Sequence, residues 1–390
     1  MRHTTDMNPV DETLSVPVDS ERGPLAGLRV VELANAGPSG YAAMVLSDLG
    51  ADVVCVQRPG VPRSADDQIR RGRTIVAADL SDPTSVADVL DLIARADVLV
   101  EGFRPGVAER LGLGPDIALA RNSRLIYARV TGWGQYGPRS AHAGHDINFL
   151  APTGILHAMG RPDDRPIPPL NLIGGFAGGS MYLAVGILSA LWERTVSGRG
   201  QVLDVAAADG AALLAQFNWS MRGSGAWSDR RGENLVDGSC PFLDTYECAD
   251  GRYMAVGAFE QKFYARMLEV LGLDEITVPD RGDRENWPAL RDILAARFRT
   301  RTRDEWSEVF DTVDACVTPV LTFGEAPGDP HFTARGTFAE IDGVVQPLPA
   351  TRFSRTPAPT PSAPPHSTVT PQQVWRQHDS ARSEPREEHS

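Results

Sequence analysis

From Leu28 onward, short β-branched runs alternate with stretches of helical periodicity, and no other feature limits the possible folds so tightly. Leu28–Leu33 reads as a strand, Ser39–Leu49 as a helix and Val53–Val56 as a second strand. Thr74–Ala77 follows, then a helix opened by Asp82-Pro83 and carrying Val86, Val89, Leu90 and Ile93, then strands at Val98–Val100 and Leu125–Val130. Strands that recur with a helix between them run parallel, so the expectation is an α/β fold: a Rossmann-like parallel sheet covered by helices. A long apolar helix from Gly179 to Glu193, with Met181, Ala184, Val185, Leu188 and Leu191 at helical spacing, precedes one more strand at Gln201–Val205.

Beyond about residue 225 the pattern changes. Thr245–Cys248 and Arg252–Val256 flank Asp250-Gly251, a hairpin signal, and helices follow over Gln261–Leu271, Trp287–Phe298 and Asp304–Val313. The domain reading is a disordered tail over 1–22, a large domain over 23–205 completed by 345–356, and a linker helix over 206–235. A small α+β domain over 236–330 and a return linker over 331–356 follow. Five prolines between Pro357 and Pro365 and a charged ending make 357–390 an extended, then disordered tail.

The 390 residues, 42% hydrophobic and 23% charged, suffice for two domains with their own cores. A formal charge of -13 disfavours nucleic acid and anionic membrane as partners, because the average surface repels both. Cys55, Cys240, Cys248 and Cys316 form no CxxC pair, and the eight histidines are scattered, so neither a disulfide framework nor a metal site is indicated. No apolar leader precedes the first strand, and a cytoplasmic location is expected.

Four segments carry a resemblance. Leu125-Ile126-Tyr127-Ala128-Arg129-Val130-Thr131-Gly132-Trp133-Gly134-Gln135, Gly144-His145-Asp146-Ile147-Asn148-Phe149, Asn171 to Ser180 and Gly200-Gln201-Val202-Leu203-Asp204 resemble the α-methylacyl-CoA racemases of the family III CoA-transferase (CaiB/BaiF) superfamily. The resemblance spans roughly Gly23 to Ser354. It implies a large Rossmann-like domain and a smaller one, assembled as an interlocked homodimer, with the active site where a large domain meets a small one. No permanently bound cofactor is implied; coenzyme A enters as part of the substrate.

The proton beside a thioester carbonyl is weakly acidic. Removing it needs a positioned base and donors for the enolate oxygen, and inverting the carbon needs a group on each face. The resemblance assigns these roles to His145, supported by Glu260 in Gly257-Ala258-Phe259-Glu260-Gln261, and to an aspartate at position 175. Position 175 is glycine, which carries no proton-handling group. Asp146, next to His145, is the nearest stand-in acid, provided that it lies where the chain can turn it inward. Taken alone, His145 would read as a core histidine, and Glu260 as a first-turn carboxylate favouring a helix dipole. The run Gly174-Gly175 with Gly178-Gly179 before an apolar helix fits either backbone donors for an anion or close helix packing.

Basic residues stand out in an acidic chain. Arg58 follows the second strand, Arg73 belongs to the cluster Arg70, Arg71 and Arg73, and Arg104 and Arg110 follow the fourth strand. Open α/β sheets bind ligands at such strand ends. The resemblance places the phosphates and adenine of coenzyme A along these segments, and so selects Arg58, Arg73, Arg104 and Arg110.

Three functions follow as expectations. The first is proton transfer at the α-carbon of a 2-methylacyl-CoA, impaired or altered by Gly175. The second is CoA transfer between carboxylic acids, which a glycine disfavours, since the family's transferases use an aspartate in this region as nucleophile. The third is acyl-CoA binding without catalysis.

Overall fold

Six parallel strands in the order β3-β2-β1-β4-β5-β6 form the main sheet of the computed structural model, which describes residues 22–33, 37–61 and 68–375. They are β1 (Arg29–Leu33), β2 (Asp52–Gln57), β3 (Arg73–Ala77), β4 (Val98–Glu101), β5 (Ile126–Thr131) and β6 (Gln201–Ala206). This is the doubly wound order, with its topological switch between β1 and β4. The expectations placed on residues 1–21 and 376–390 lie outside the described residues.

The inner strands are nearly continuous apolar runs because both faces of the sheet are covered. Val31, Leu33, Val54, Val56, Val76, Leu99 and Tyr127 join one core with Val89, Leu90, Leu92 and Ile93 of the helix Pro83–Ala94. The alternate positions Val30, Val53, Val98, Val100, Ile126 and Ala128 join a second core. Ala42, Ala43 and Leu46 of the helix Pro38–Asp48 complete it, with Leu183, Ile187 and Ala190 of the helix Tyr182–Ser197. The period of two along each strand thus sorts residues to opposite faces. Asp82 starts the helix Pro83–Ala94 as expected, accepting hydrogen bonds from Thr84 N at 3.3 Å and Ser85 N at 3.1 Å.

By length and composition, Leu172–Ser197 is apolar enough to cross a membrane; Leu183, Ala184, Ile187 and Ala190 on one face are buried against the sheet, while Val185, Trp192 and Val196 are exposed. The helix expected from Gly179 begins earlier and in another form: Leu172–Met181 winds as a π-helix before the α-helix. Four glycines in ten residues weaken the preference for α-helical winding there.

Contacts divide the chain into two units. Among the described residues, one holds those up to Ala141, Gly179–Ala206 and those from Gly336 to Trp375; the other holds His142–Gly178 and Ala207–Arg335. The segment 142–178, read in sequence as part of the large domain, is therefore grouped with the second unit. The expected linker helix over 206–235 is two helices, Ala207–Leu214 and Gln216–Gly223, followed by turns. Gly225 and Gly232, at φ 78° and 82°, end the helical path, and buried Asn234 holds the turns through Ser228 O at 3.0 Å.

The return linker is also structured. Phe338–Ile341 and Val344–Pro347 pair as an antiparallel hairpin, tied to the first helix by buried Arg71, which grips Asp48 at 2.6 Å and Gln346 Oε1 at 2.7 Å. The tail reading of 357–390 fails where the chain is described. Val369 N bonds Ile75 O at 2.9 Å on the free edge of β3, and Val374 and Trp375 are buried, with Arg29 and Arg95 over the Trp375 ring at 5.1 and 5.8 Å. An open edge strand needs such cover, and the apolar residues that provide it lie beyond the prolines.

In the second unit, β7 (Leu243–Glu247), β8 (Tyr253–Gly257) and β9 (Val317–Pro319) form an antiparallel sheet in that order. The turn at Asp250-Gly251 is where the hairpin signal put it. Helices Gln261–Leu271, Trp287–Phe298 and Arg303–Phe310 cover the sheet around fully buried Phe298 and Trp306.

Candidate active site

His145, Asp146, Gly175 and Glu260 all fall in the second unit. His145 is the N-cap residue of the short helix Asp146–Leu150, with an exposed side chain. Its backbone is fully engaged: the N–H donates to Asn148 Oδ1 at 3.0 Å, and the carbonyl accepts from Asn148 N at 2.8 Å and Phe149 N at 3.2 Å. Phe149 and Leu150 anchor the helix in the interior. Gly144 permits this, because a Cβ there would stand 2.6 Å from the Phe149 ring. The core-histidine reading of His145 therefore fails on exposure.

Asp146 is the first residue of that helix, and its carboxylate turns inward. Oδ2 accepts from Gly175 N at 2.6 Å, while Oδ1 is buried with no hydrogen-bond partner. A Cβ on Gly174 would come within 2.8 Å of Asp146 O, and one on Gly178 within 2.6 Å of Ala207 O. Those two glycines serve close packing, and the Gly175 N–H that could have faced an anion is directed at Asp146 instead. The candidate stand-in acid is thus hydrogen-bonded to the backbone of Gly175.

Glu260 is the N-cap residue of the helix Gln261–Leu271. Its carbonyl starts the helix, accepting from Phe263 N at 3.1 Å and Tyr264 N at 3.0 Å, while its carboxylate is exposed and makes no capping bond. Among the described residues, no hydrogen bond or ion pair joins it to His145.

No thiol is poised for attack. Burial pushes Cys240 and Cys248 up to about 11, and also raises Cys55 and Cys316. No group of three or more His, Cys, Asp or Glu residues suited to a metal ion occurs among the described residues. Phe149, Leu150 and Phe242 are buried in the interior. Ile155 and Trp219 line a cavity of about 430 Å³ with Met159, Trp227 and Val236, wholly within the second unit.

In the first unit, Arg58 is exposed just past β2, and Arg104 is exposed just past β4, beside the switch point. Arg110 is exposed at the end of the turn Val107–Arg110, its Nη1 3.1 Å from where a Cβ on Gly106 would stand. Arg73 has a different fate. It is buried, with Nε bonded to Glu32 Oε2 at 2.6 Å and both terminal nitrogens on the carbonyls of Ile69 and Gly40. It leaves the set of phosphate ligands because it is buried, with each of its three nitrogens already bonded within the protein.

The residues that hold the Arg104 loop were not among the candidates. Glu101, fully buried, accepts from Phe103 N and from Arg129 Nε, each at 2.7 Å, and Arg129 also reaches Glu109 at 2.9 Å. Desolvation raises the Glu101 carboxyl above its ordinary value, opposed by the Phe103 N–H and by Arg129. Glu101 and Arg129 are direct partners in the β4–β5 register, so opposite charges within two neighbouring buried strands were the available signal.

The profile of CoA-transferase family III matches residues 25–370. The chain is 46% identical over 340 residues to "Alpha-methylacyl-CoA racemase" of Mus musculus, covering 87% of this chain and 88% of that one. It is 44% identical over 335 residues to the protein of the same name from Homo sapiens, covering 86% and 87%. Among solved structures, a CaiB/BaiF family protein from Brucella suis aligns with a TM-score of 0.77 and 26% identity, covering 92% of this chain and 99% of that one.

Proposed function

Because this chain belongs to CoA-transferase family III, and its relatives at 44–46% identity are named as α-methylacyl-CoA racemases, we propose that it transfers protons at the α-carbon of 2-methylacyl-CoA esters. The observation that carries the proposal is the Asp146 carboxylate bonded to Gly175 N–H immediately beside an exposed His145. Position 175, where the racemase pattern calls for aspartate, has lost its carboxyl group, and Asp146 supplies one.

In this reading His145 takes the α-proton and Asp146 returns one from its own side. The Oδ2 bond to Gly175 N–H anchors the carboxyl group, and the unpartnered Oδ1, buried in this structure, is the oxygen that must turn out to the substrate to donate. Glu260 supports the imidazolium that forms on His145. Arg58, Arg104 and Arg110 bind the phosphates of coenzyme A, which comes and goes with the substrate as no permanent cofactor does. The working form is a homodimer in the cytoplasm, a setting that suits four free thiols.

The test is incubation of one enantiomer of a 2-methylacyl-CoA in D₂O. Deuterium uptake with matching loss of optical activity is expected, and Asp146→Asn should leave uptake while configuration is retained. Gly175→Asp should raise the rate of racemisation. Uptake with retained configuration in the unaltered chain would remove Asp146 from the mechanism. No uptake in either form would leave an acyl-CoA-binding protein without catalysis. CoA transfer needs a carboxylate nucleophile, so hydroxylamine trapping during turnover should find no acyl-enzyme.

A further inference from the structure

The turn that carries Glu260 is held from outside its own helix by one guanidinium. Arg281 Nη1 donates to Phe259 O at 2.9 Å and Ala258 O at 3.2 Å, and Nη2 donates to Gln261 Oε1 at 2.7 Å. The three acceptors belong to the two residues before Glu260 and the one after it. The guanidinium also lies over two aromatic rings, 4.3 Å from the Tyr264 centroid and 4.8 Å from that of Phe242. Arg281 is itself anchored, since its carbonyl accepts from Trp287 Nε1 at 2.9 Å.

We infer that Arg281 is the positioning residue for Glu260: it holds the two backbone carbonyls before Glu260 and the Gln261 side chain after it while leaving the carboxylate unpaired. This rests on the reading that Glu260 serves His145. A planar fork with several donors suits the task, because a turn between a strand end and a helix start exposes carbonyls that no ladder satisfies. Phe259 N is bonded to Gly257 O at 2.9 Å, and Gly257 N to Cys316 O at 2.8 Å, so the segment leading into Glu260 is held at successive residues. Among the described residues Glu260 forms no ion pair. A cation that bound the carboxylate directly would have competed with an imidazolium for it. The charged groups around the turn are Lys262 on the helix, Asp314 before β9 and Glu275, which accepts from Gln261 Nε2. Asp146 adjoins His145, and Asp280 adjoins Arg281.

The experiment compares Arg281→Ala, Glu260→Gln and the double variant in the full chain, by deuterium exchange at the α-carbon of a 2-methylacyl-CoA across pH. A displaced carboxylate no longer stabilises the imidazolium, so the acidic limb of kcat/KM should move to lower pH in both single variants. Arg281→Ala should lower kcat by about ten-fold with KM within about two-fold, the loss expected when a catalytic group shifts by a fraction of an ångström. The double variant should match Glu260→Gln alone. If Arg281→Ala melts below the assay temperature, Arg281→Lys makes the same comparison, since one ammonium cannot serve all three oxygens. Additive losses, or an unmoved acidic limb with only the melting midpoint changed, would overturn the inference and leave Glu260 in place. A Glu260→Gln protein with an unaltered rate and profile would instead sink the reading on which the inference rests.

Discussion

The buried frame of the first unit and the candidate site of the second hold charge in contrasting ways. In the first, arginines are paired inside the protein: Arg71 with Asp48, Arg73 with Glu32 and Arg129 with Glu101. In the second, His145 and Glu260 stand exposed while their backbones are pinned by hydrogen bonds to neighbouring residues. A buried pair keeps its geometry through its own charges, so removing either partner leaves an uncompensated charge in the interior. An exposed group on a pinned backbone keeps its position and remains open to a substrate. The contrast separates residues that build the frame from residues that are able to react.

The comparison breaks most sharply if the exposed groups prove dispensable. His145→Gln should lower α-proton exchange by about 10² to 10⁴-fold with an unchanged melting midpoint, the range for loss of a general base. Next, Arg73→Met should cost about 3–5 kcal/mol of stability, read from denaturant midpoints, because it leaves Glu32 buried and unpaired. Arg104→Met should do the reverse: no change in melting, and a rise in KM for acyl-CoA of about ten-fold, the worth of one charged hydrogen bond.

Arg303 and Glu325 show the frame type of pairing within the second unit, at a half-buried site. Their bond, 2.8 Å long, is the first cause of a Glu325 carboxyl lowered from 4.5 to about 2, with Thr322 contributing through its N–H and hydroxyl. A depressed acid stabilises the fold above its ordinary value and ceases to do so as pH falls through the depressed one. The gap in melting midpoint between the unaltered protein and Glu325→Gln should therefore be full at pH 7 and close between pH 4.5 and 2. This is the smallest of the expected effects, because water reaches the pair.

The frame was partly legible in the chain. β1 and β5 begin one residue inside the runs read as Leu28–Leu33 and Leu125–Val130, since β-branched runs flanked by helical periodicity admit few other structures. Asp250-Gly251 located its hairpin for the same local reason. The fate of an arginine was not legible. Arg73 and Arg104 look alike in sequence, and only the approach of Glu32, forty-one positions away, separates them. Proline content misread 357–375, because composition reports how a segment behaves alone, whereas Trp375 is ordered by what it covers. At the candidate site, the motif located His145, but that Asp146 turns toward Gly175 depends on a helix starting at that residue.

The strap over β3 has a consequence for biogenesis. The β3 edge of the first sheet is covered at Val369, with Val374 and Trp375 buried beyond it, so the first unit cannot be finished until synthesis has passed through the second unit and reached Trp375. All of the second unit emerges in the meantime and can fold while its older neighbour waits with an open flank. A stop codon or a fusion joint placed before Trp375 would make that waiting permanent.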